Sequence, residues 1–232
     1  MHNRYGKHHP SDPHKKVLTA YDPFEMGASD ALDIPTMREV ACVGRLARLK
    51  CQLELVEAVA LARARGVKVS VDLIGAAAEG DPYTNRILQS VQEFGLSDQV
   101  RLLGYRTDAA MLMASYRFIA VPSQYETLGR VVLEAWSAGS VPICSADSGG
   151  AAEIVRASGG GVLYDGNSPE DIASALRSAV GMAEDARRRL VENGRTWMRT
   201  NLSIISYRDH LSGVLFPAGG SNQWSVTDAR HF

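Results

Sequence analysis

From Glu39 onward, short apolar runs alternate with amphipathic stretches, the pattern of a parallel sheet covered by helices. The apolar runs predict strands over 40–43, 68–74, 100–103, 118–121, 142–145 and 161–164. Between them, helical periodicity predicts helices over 52–65, 82–94, 108–114, 128–138 and 150–157. Strands joined in this way by helical crossovers make a doubly wound, mostly parallel, six-stranded α/β sheet of the Rossmann-like kind. Helices follow over 168–195 and 204–214, one of them opened by Ser168, Pro169, Glu170 and Asp171, a capping residue followed by proline and acids. Residues 1–36, with His2, His8, His9, His14 and several prolines, keep neither period and read as a tail and remnant linker. The expected organisation is therefore a sheet domain over 37–200, a terminal helix over 201–216 and a disordered tail over 217–232.

Composition narrows the partners. With 45% hydrophobic and 22% charged residues the chain is ordinary for a folded protein. A formal net charge of -1 gives no global attraction to nucleic acid, so any anion must be bound locally. Cys42, Cys51 and Cys144 are far apart and suggest neither a disulfide framework nor a zinc site, which fits a reducing cytoplasm. No apolar run reaches the ~20 residues needed to cross a bilayer, so any membrane association is expected to be peripheral, at the inner face. Neighbouring His8 and His9 lack the fixed geometry of a metal site.

In open sheets of this kind ligands bind where strand carboxyl ends meet the following helices, so candidate chemistry is sought there. After the first strand come Gly44, Arg45, Leu46 and Lys50. Arg45 and Lys50 could both reach one diphosphate; the alternative is a pair of solvated cations flanking a helix start, where they oppose the macrodipole. After the fourth strand, Glu126 precedes Thr127, Leu128 and Gly129, whose backbone N–H groups at an expected helix start could receive an anion. The alternative for Glu126 is a favourable acid at a helix start. Glu134 lies in an apolar helical stretch, where a carboxylate needs a partner: ribose hydroxyls, water, or Arg45 or Lys50. After the fifth strand, Gly149 and Gly150 allow close backbone approach, and Glu153 is either a ligand contact or an acid in a first helical turn. Tyr105, after the third strand, could stack on a planar base or pack in the core.

Together these segments resemble the carboxyl-terminal domain of the retaining, nucleotide-sugar-dependent glycosyltransferases of the GT-B fold, the large family that includes sucrose synthase and bacterial phosphatidylinositol mannosyltransferases. Gly44-Arg45-Leu46 with Lys50 matches its glycine-arginine and lysine pair, Glu126 and Glu134 its E-x7-E motif, and Gly149-Gly150 with Glu153 the element that follows. Pro122-Ser123 and Ala138-Gly139 flank the motif as in the family.

The resemblance implies transfer of a sugar from a nucleotide diphosphate sugar to an unknown acceptor, with retention of configuration. Arg45 and Lys50 would hold the diphosphate, Glu126 would lie beside the transferred sugar, Glu134 would bind the ribose, and the amides near Leu128 and Gly129 would take the distal phosphate. Neither cofactor nor metal is implied. Two departures stand out: Cys51 replaces the glycine that commonly follows the lysine, and the acceptor-binding domain that family members carry is not recognisable here. A separate acceptor-domain subunit is thus an expected partner, and the alternative function is a non-catalytic module that binds the donor. Residues 17–26 resemble the inter-domain connection and 207–215 the terminal segment. A nicotinamide-dependent oxidoreductase is disfavoured because no G-x-G-x-x-G follows the first strand. Sugar-nucleotide epimerases of related architecture are the distant runner-up.

Overall fold

The computed structural model describes Phe24, residues 38–203, and residues 205, 207 and 208. The tail over 1–36, Phe24 apart, and nearly all of the segment beyond 203 lie outside the described residues. Six strands form one parallel sheet: β1 (Arg38–Val43), β2 (Val71–Ile74), β3 (Val100–Gly104), β4 (Tyr116–Val121), β5 (Val141–Ser145) and β6 (Val162–Tyr164). Their spatial order is β3-β2-β1-β4-β5-β6. The order reverses between β1 and β4, which are paired through Val40 with Phe118 and Ala41 with Ile119. A crevice for ligands is expected at that switch point, beyond the strand carboxyl ends.

Strands covered on both faces read as continuous apolar runs because neither side meets water. β4 and β5 are buried almost throughout for this reason. Helices α1 (Gln52–Ala64), α2 (Tyr83–Glu93) and α6 (Pro169–Val180) cover one face, packing Leu55, Val59, Ile87 and Leu176 on Val40, Leu73 and Phe118. The other face carries the short α3 (Ala109–Leu112) with α4 (Arg130–Ala138), α5 (Gly150–Ser158) and α7 (Glu184–Asn201) around Ile119, Leu133, Trp136 and Ile154. Asp72, fully buried within β2, is an exception to the apolar rule. Arg101 grips it with two bonds of 2.8 and 2.6 Å, and the Tyr116 hydroxyl adds a third of 2.7 Å, so its charge is paired and its oxygens satisfied.

Three sequence expectations are corrected. Helix α4 begins at Arg130, not at 128, because Gly129 takes the left-handed conformation (φ 70°) and acts as its N-cap. The stretch 168–195 is two helices, interrupted at Gly181-Met182-Ala183. The helix expected over 108–114 is a single turn, Ala109–Leu112, followed by a 3-10 turn over Met113–Ser115. The expected start at Ser168 is a full capping box: Ser168 Oγ accepts from the Asp171 amide, and Asp171 accepts in return from the Ser168 amide, both at 3.2 Å.

Helix α7 holds α4 from behind. Gly194 lies so close to the Trp136 indole that a Cβ there would come within 2.3 Å of the ring. The Trp136 Nε1–H donates to the Gly160 carbonyl at 2.7 Å. Arg195 donates to the carbonyls of Trp136 and Ser137, and Arg187 to that of Gly139, closing the carboxyl end of α4. What faces the crevice is the other end of that helix.

Candidate functional site

The loop after β1 continues the sheet for two more residues, as the Gly44 amide donates to Ile74 O (2.9 Å) and the Leu46 amide to Ala76 O (3.1 Å). Gly75 permits this approach, since a Cβ there would fall 1.9 Å from the Gly44 oxygen. Gln52, buried at the start of α1, then pins the loop: its Nε2 donates to Arg45 O (2.9 Å) and its Oε1 accepts from the Ala47 amide (3.3 Å). The backbone of Arg45 is thereby fixed while its side chain is left exposed, with no ion-pair partner among the described residues. A 3-10 turn, Arg48–Lys50, closes the loop at Cys51. Cys51 has φ 54°, the one positive φ at a non-glycine among the described residues. Glycine suits this backbone conformation best, and Cys51 keeps it with its thiol buried against Arg48 O.

The loop after β4 lies directly against this one. The Gln124 amide donates to Leu49 O at 2.9 Å, and Lys50 Nζ bonds to Glu126 Oε1. The same carboxylate oxygen accepts from Ser123 Oγ at 2.9 Å. Glu126 also ties in the third loop through its backbone, donating to Ser148 O (2.9 Å) and accepting from the Gly150 amide (2.8 Å). Close packing demands glycine twice here: a Cβ on Gly150 would fall 1.9 Å from Thr127 O, and one on Gly129 2.7 Å from the Ala151 Cα. Gly149, at φ 68° and ψ -127°, holds a backbone that other residues avoid.

The structure thus brings together Gly44, Arg45, Lys50, Glu126, Thr127, Leu128, Gly129, Gly149 and Gly150, carried by the ends of β1, β4 and β5. The amides of Thr127, Leu128 and Gly129 have no acceptor among the described residues, so they are available to an anion although the helix proper starts later. Glu134 sits one turn into α4 and is half-buried. Its partner is Arg130, four residues earlier, at 3.9 Å, and not Arg45 or Lys50. Burial pushes the Glu134 carboxyl above its ordinary value, with Arg130 opposing the shift. Glu153 stands exposed in the first turn of α5. Tyr105 follows β3 and is 76% exposed, which excludes the core alternative and leaves its ring open to a planar partner.

Two contributors were not singled out as site residues from sequence. Ser123 is only a flank of the motif in sequence, yet its position three residues before Glu126 is that of a side chain able to bond back to it. Gln52 had no signal beyond being a polar residue at the start of an apolar helix. The three cysteines are buried and free, and burial pushes the Cys51 thiol up to about 11, so none is a ready nucleophile. Among the described residues no group of three or more His, Cys, Asp or Glu could hold a metal ion, and no helix is long and apolar enough to cross a membrane.

Residues 30–197 match the family model described as glycosyl transferases group 1. The chain belongs to that family. Among curated proteins, this glycosyl transferase chain is 33% identical over 179 residues to a D-inositol 3-phosphate glycosyltransferase of Nocardia farcinica, covering 74% of this chain and 39% of that protein. It thus spans well under half the length of the relative. Among solved structures it superposes on Anabaena HepE in complex with UDP-glucose with a TM-score of 0.64 and 26% identity, covering 76% of this chain and 48% of that one. The crystallised C-terminal domain of a group 1 glycosyl transferase (LpcC) from Francisella tularensis matches with a TM-score of 0.62 at 23% identity, covering 74% of this chain and 89% of that domain. The fold is accordingly that of the carboxyl-terminal half of a GT-B glycosyltransferase.

Proposed function

We propose that this chain binds a nucleotide diphosphate sugar and forms the donor half of a retaining glycosyltransferase whose acceptor is bound by a separate domain. The observation that carries the reading is the junction of Lys50 with Glu126 beside three open amides at Thr127, Leu128 and Gly129. A diphosphate placed there meets a lysine, a second cation in Arg45, which has no ion-pair partner among the described residues, and a helix amino terminus. The amides are positioned before the ligand arrives, so they stabilise charge developing on the leaving diphosphate without reorganisation of the backbone. In this reading they supply the neutralisation a metal would otherwise provide, and none is required.

Glu126 then stands beside the transferred sugar, and Glu134 accepts from the ribose hydroxyls, which compensates the burial that now disfavours its charge. Tyr105 lies along the base, and Gly44, Gly149 and Gly150 allow the backbone to approach the donor, with Glu153 at the sugar's far side. The HepE structure with UDP-glucose, at 26% identity, supports a nucleotide-sugar donor as the ligand class. No protein nucleophile is assigned.

Calorimetric titration with a panel of nucleotide diphosphate sugars, in the presence of a chelator, tests this directly. Saturable binding of at least one donor is expected. Absence of binding across the panel would overturn the reading, and binding restored only by a divalent cation would overturn its metal-free form. Release of nucleotide diphosphate on adding an acceptor-domain partner separates a transferase from a donor-binding module.

A further inference from the structure

In the donor-free protein, two residues assigned to different parts of the donor are bonded to each other. Lys50 Nζ, the proposed phosphate ligand, is paired with Glu126 Oε1, the carboxylate proposed to face the sugar. The pair is largely sheltered, with side-chain exposures of 29% and 15%. The same carboxylate immediately precedes the open amides of Thr127, Leu128 and Gly129. A diphosphate on those amides therefore approaches the carboxylate and competes with it for the same ammonium. Two anions of this kind repel, while a single lysine gains more from the more highly charged one.

What keeps Glu126 in place if the lysine turns away is also visible. Ser123 Oγ donates to the same Oε1 at 2.9 Å, and Ser123 is buried at 2% exposure, so its hydroxyl is held by the core and not by solvent. The backbone of Glu126 is independently clamped to Ser148 and Gly150. Its position does not depend on the ion pair.

We propose that the donor diphosphate takes Lys50 from Glu126, and that Ser123, acting as a positioning residue, then holds the carboxylate as an unpaired anion toward the transferred sugar. This rests on the donor-binding reading above and adds to it an order of events. Lys50 has one partner before binding and another after. Glu126 is neutralised in the empty site and exposed as a charge only when a diphosphate is present, which would confine its electrostatic pull on a developing sugar cation to the loaded state.

The consequence is a substitution with opposite effects on two ligands. Glu126→Gln removes the competitor for Lys50 and the repulsion of the phosphate, so free nucleotide diphosphate should bind about fivefold more tightly. The corresponding nucleotide diphosphate sugar should gain less or lose affinity, because its sugar no longer faces a carboxylate. Ser123→Ala should leave nucleotide diphosphate affinity unchanged and weaken only the sugar-bearing donor. Calorimetry of both ligands with the wild-type chain and both variants reads all of this, with circular dichroism confirming that each is folded. If Glu126→Gln binds nucleotide diphosphate as tightly as wild type or more weakly, Lys50 bridges both anions at once and the exchange does not occur. If Ser123→Ala affects both ligands alike, Ser123 has no positioning role. A wild-type chain that binds no nucleotide diphosphate at all overturns the donor-binding reading itself, and the exchange with it.

Discussion

Two helices open onto the crevice from left-handed N-cap residues, α1 from Cys51 (φ 54°) and α4 from Gly129 (φ 70°), and they serve it in different ways. At α1 two of the amides are taken within the protein: that of Leu53 donates to the Tyr83 hydroxyl at 3.1 Å, and that of Cys51 to Arg48 O at 3.1 Å. That helix start brings a side chain, Lys50, to Glu126 across the crevice. At α4 the preceding amides are open, and Glu126 is the flanking side chain. One backbone conformation thus serves two ends: in one loop it directs a cation, in the other it leaves donors for an anion. The residue tolerated follows from space, since Cys51 finds a buried place for its thiol whereas a Cβ on Gly129 would strike Ala151.

Gly129→Ala should break the comparison most severely. Left-handed strain adds to the collision with Ala151, for a loss of about 3 kcal/mol of folding stability. Urea denaturation monitored by circular dichroism measures it, and a loss below that of an exposed surface substitution would mean that α5 yields at no cost. Lys50→Ala acts on the other loop and on binding instead. Nucleotide diphosphate affinity should fall by about 1.5–3 kcal/mol, the range for hydrogen bonds to charged groups, while stability moves by less than about 1 kcal/mol. Unchanged affinity by calorimetry would remove Lys50 from the site.

Cys51 sharpens the same contrast at smaller scale. Alanine keeps the positive φ and loses the buried sulfur, whereas glycine removes the strain. Cys51→Gly should therefore be more stable than Cys51→Ala by about 0.5–1 kcal/mol, the reverse of their order inside a helix. The alanine variant proving the more stable in urea melts would show that φ at this position relaxes freely.

The strands and the loops that follow them were legible because burial on both faces writes apolar runs, and because glycines and charges gather where those runs stop. Lys50 and Glu126 could be named from sequence, but not their contact, since a separation of 76 residues leaves no local trace. The Arg130 partner of Glu134 is legible in the four-residue spacing, whereas Arg45 and Lys50 do not reach it. The late start of α4 was not legible. It arises because α5 crosses against Gly129, a tertiary constraint that overrides the helical propensity of Leu128. The clamp of α7 on α4 was hidden for the same reason: Gly194 and Arg195 stand at the end of the helix expected over 168–195 and gain their meaning only when Trp136 is placed against them.

That clamp extends the comparison to the two ends of α4 itself, one open to a ligand and the other closed by arginines. Arg187 reaches the Gly139 carbonyl at 2.6 Å while Glu184 holds its guanidinium at 2.7 Å, and Glu184 pairs with Arg188 as well. The hydrogen bond from Arg187 is the main reason the Glu184 carboxyl is held down to about 2, against an ordinary value of 4.5. A depressed carboxyl favours the folded state once it is ionised in both states, so its contribution is full above about pH 4.5 and is lost as pH falls toward 2. Because Glu184 is partly exposed, solvent screening limits its worth, and Glu184→Gln should cost only about 0.5 kcal/mol at neutral pH. The difference from wild type in urea midpoint should shrink progressively between pH 4.5 and 2. A difference that stayed constant over that window would show that Glu184 acts through packing and not through its charge. The closed end of α4 would then be held by Arg195 and the Trp136 contact with Gly194, and the ion pair would be incidental to it.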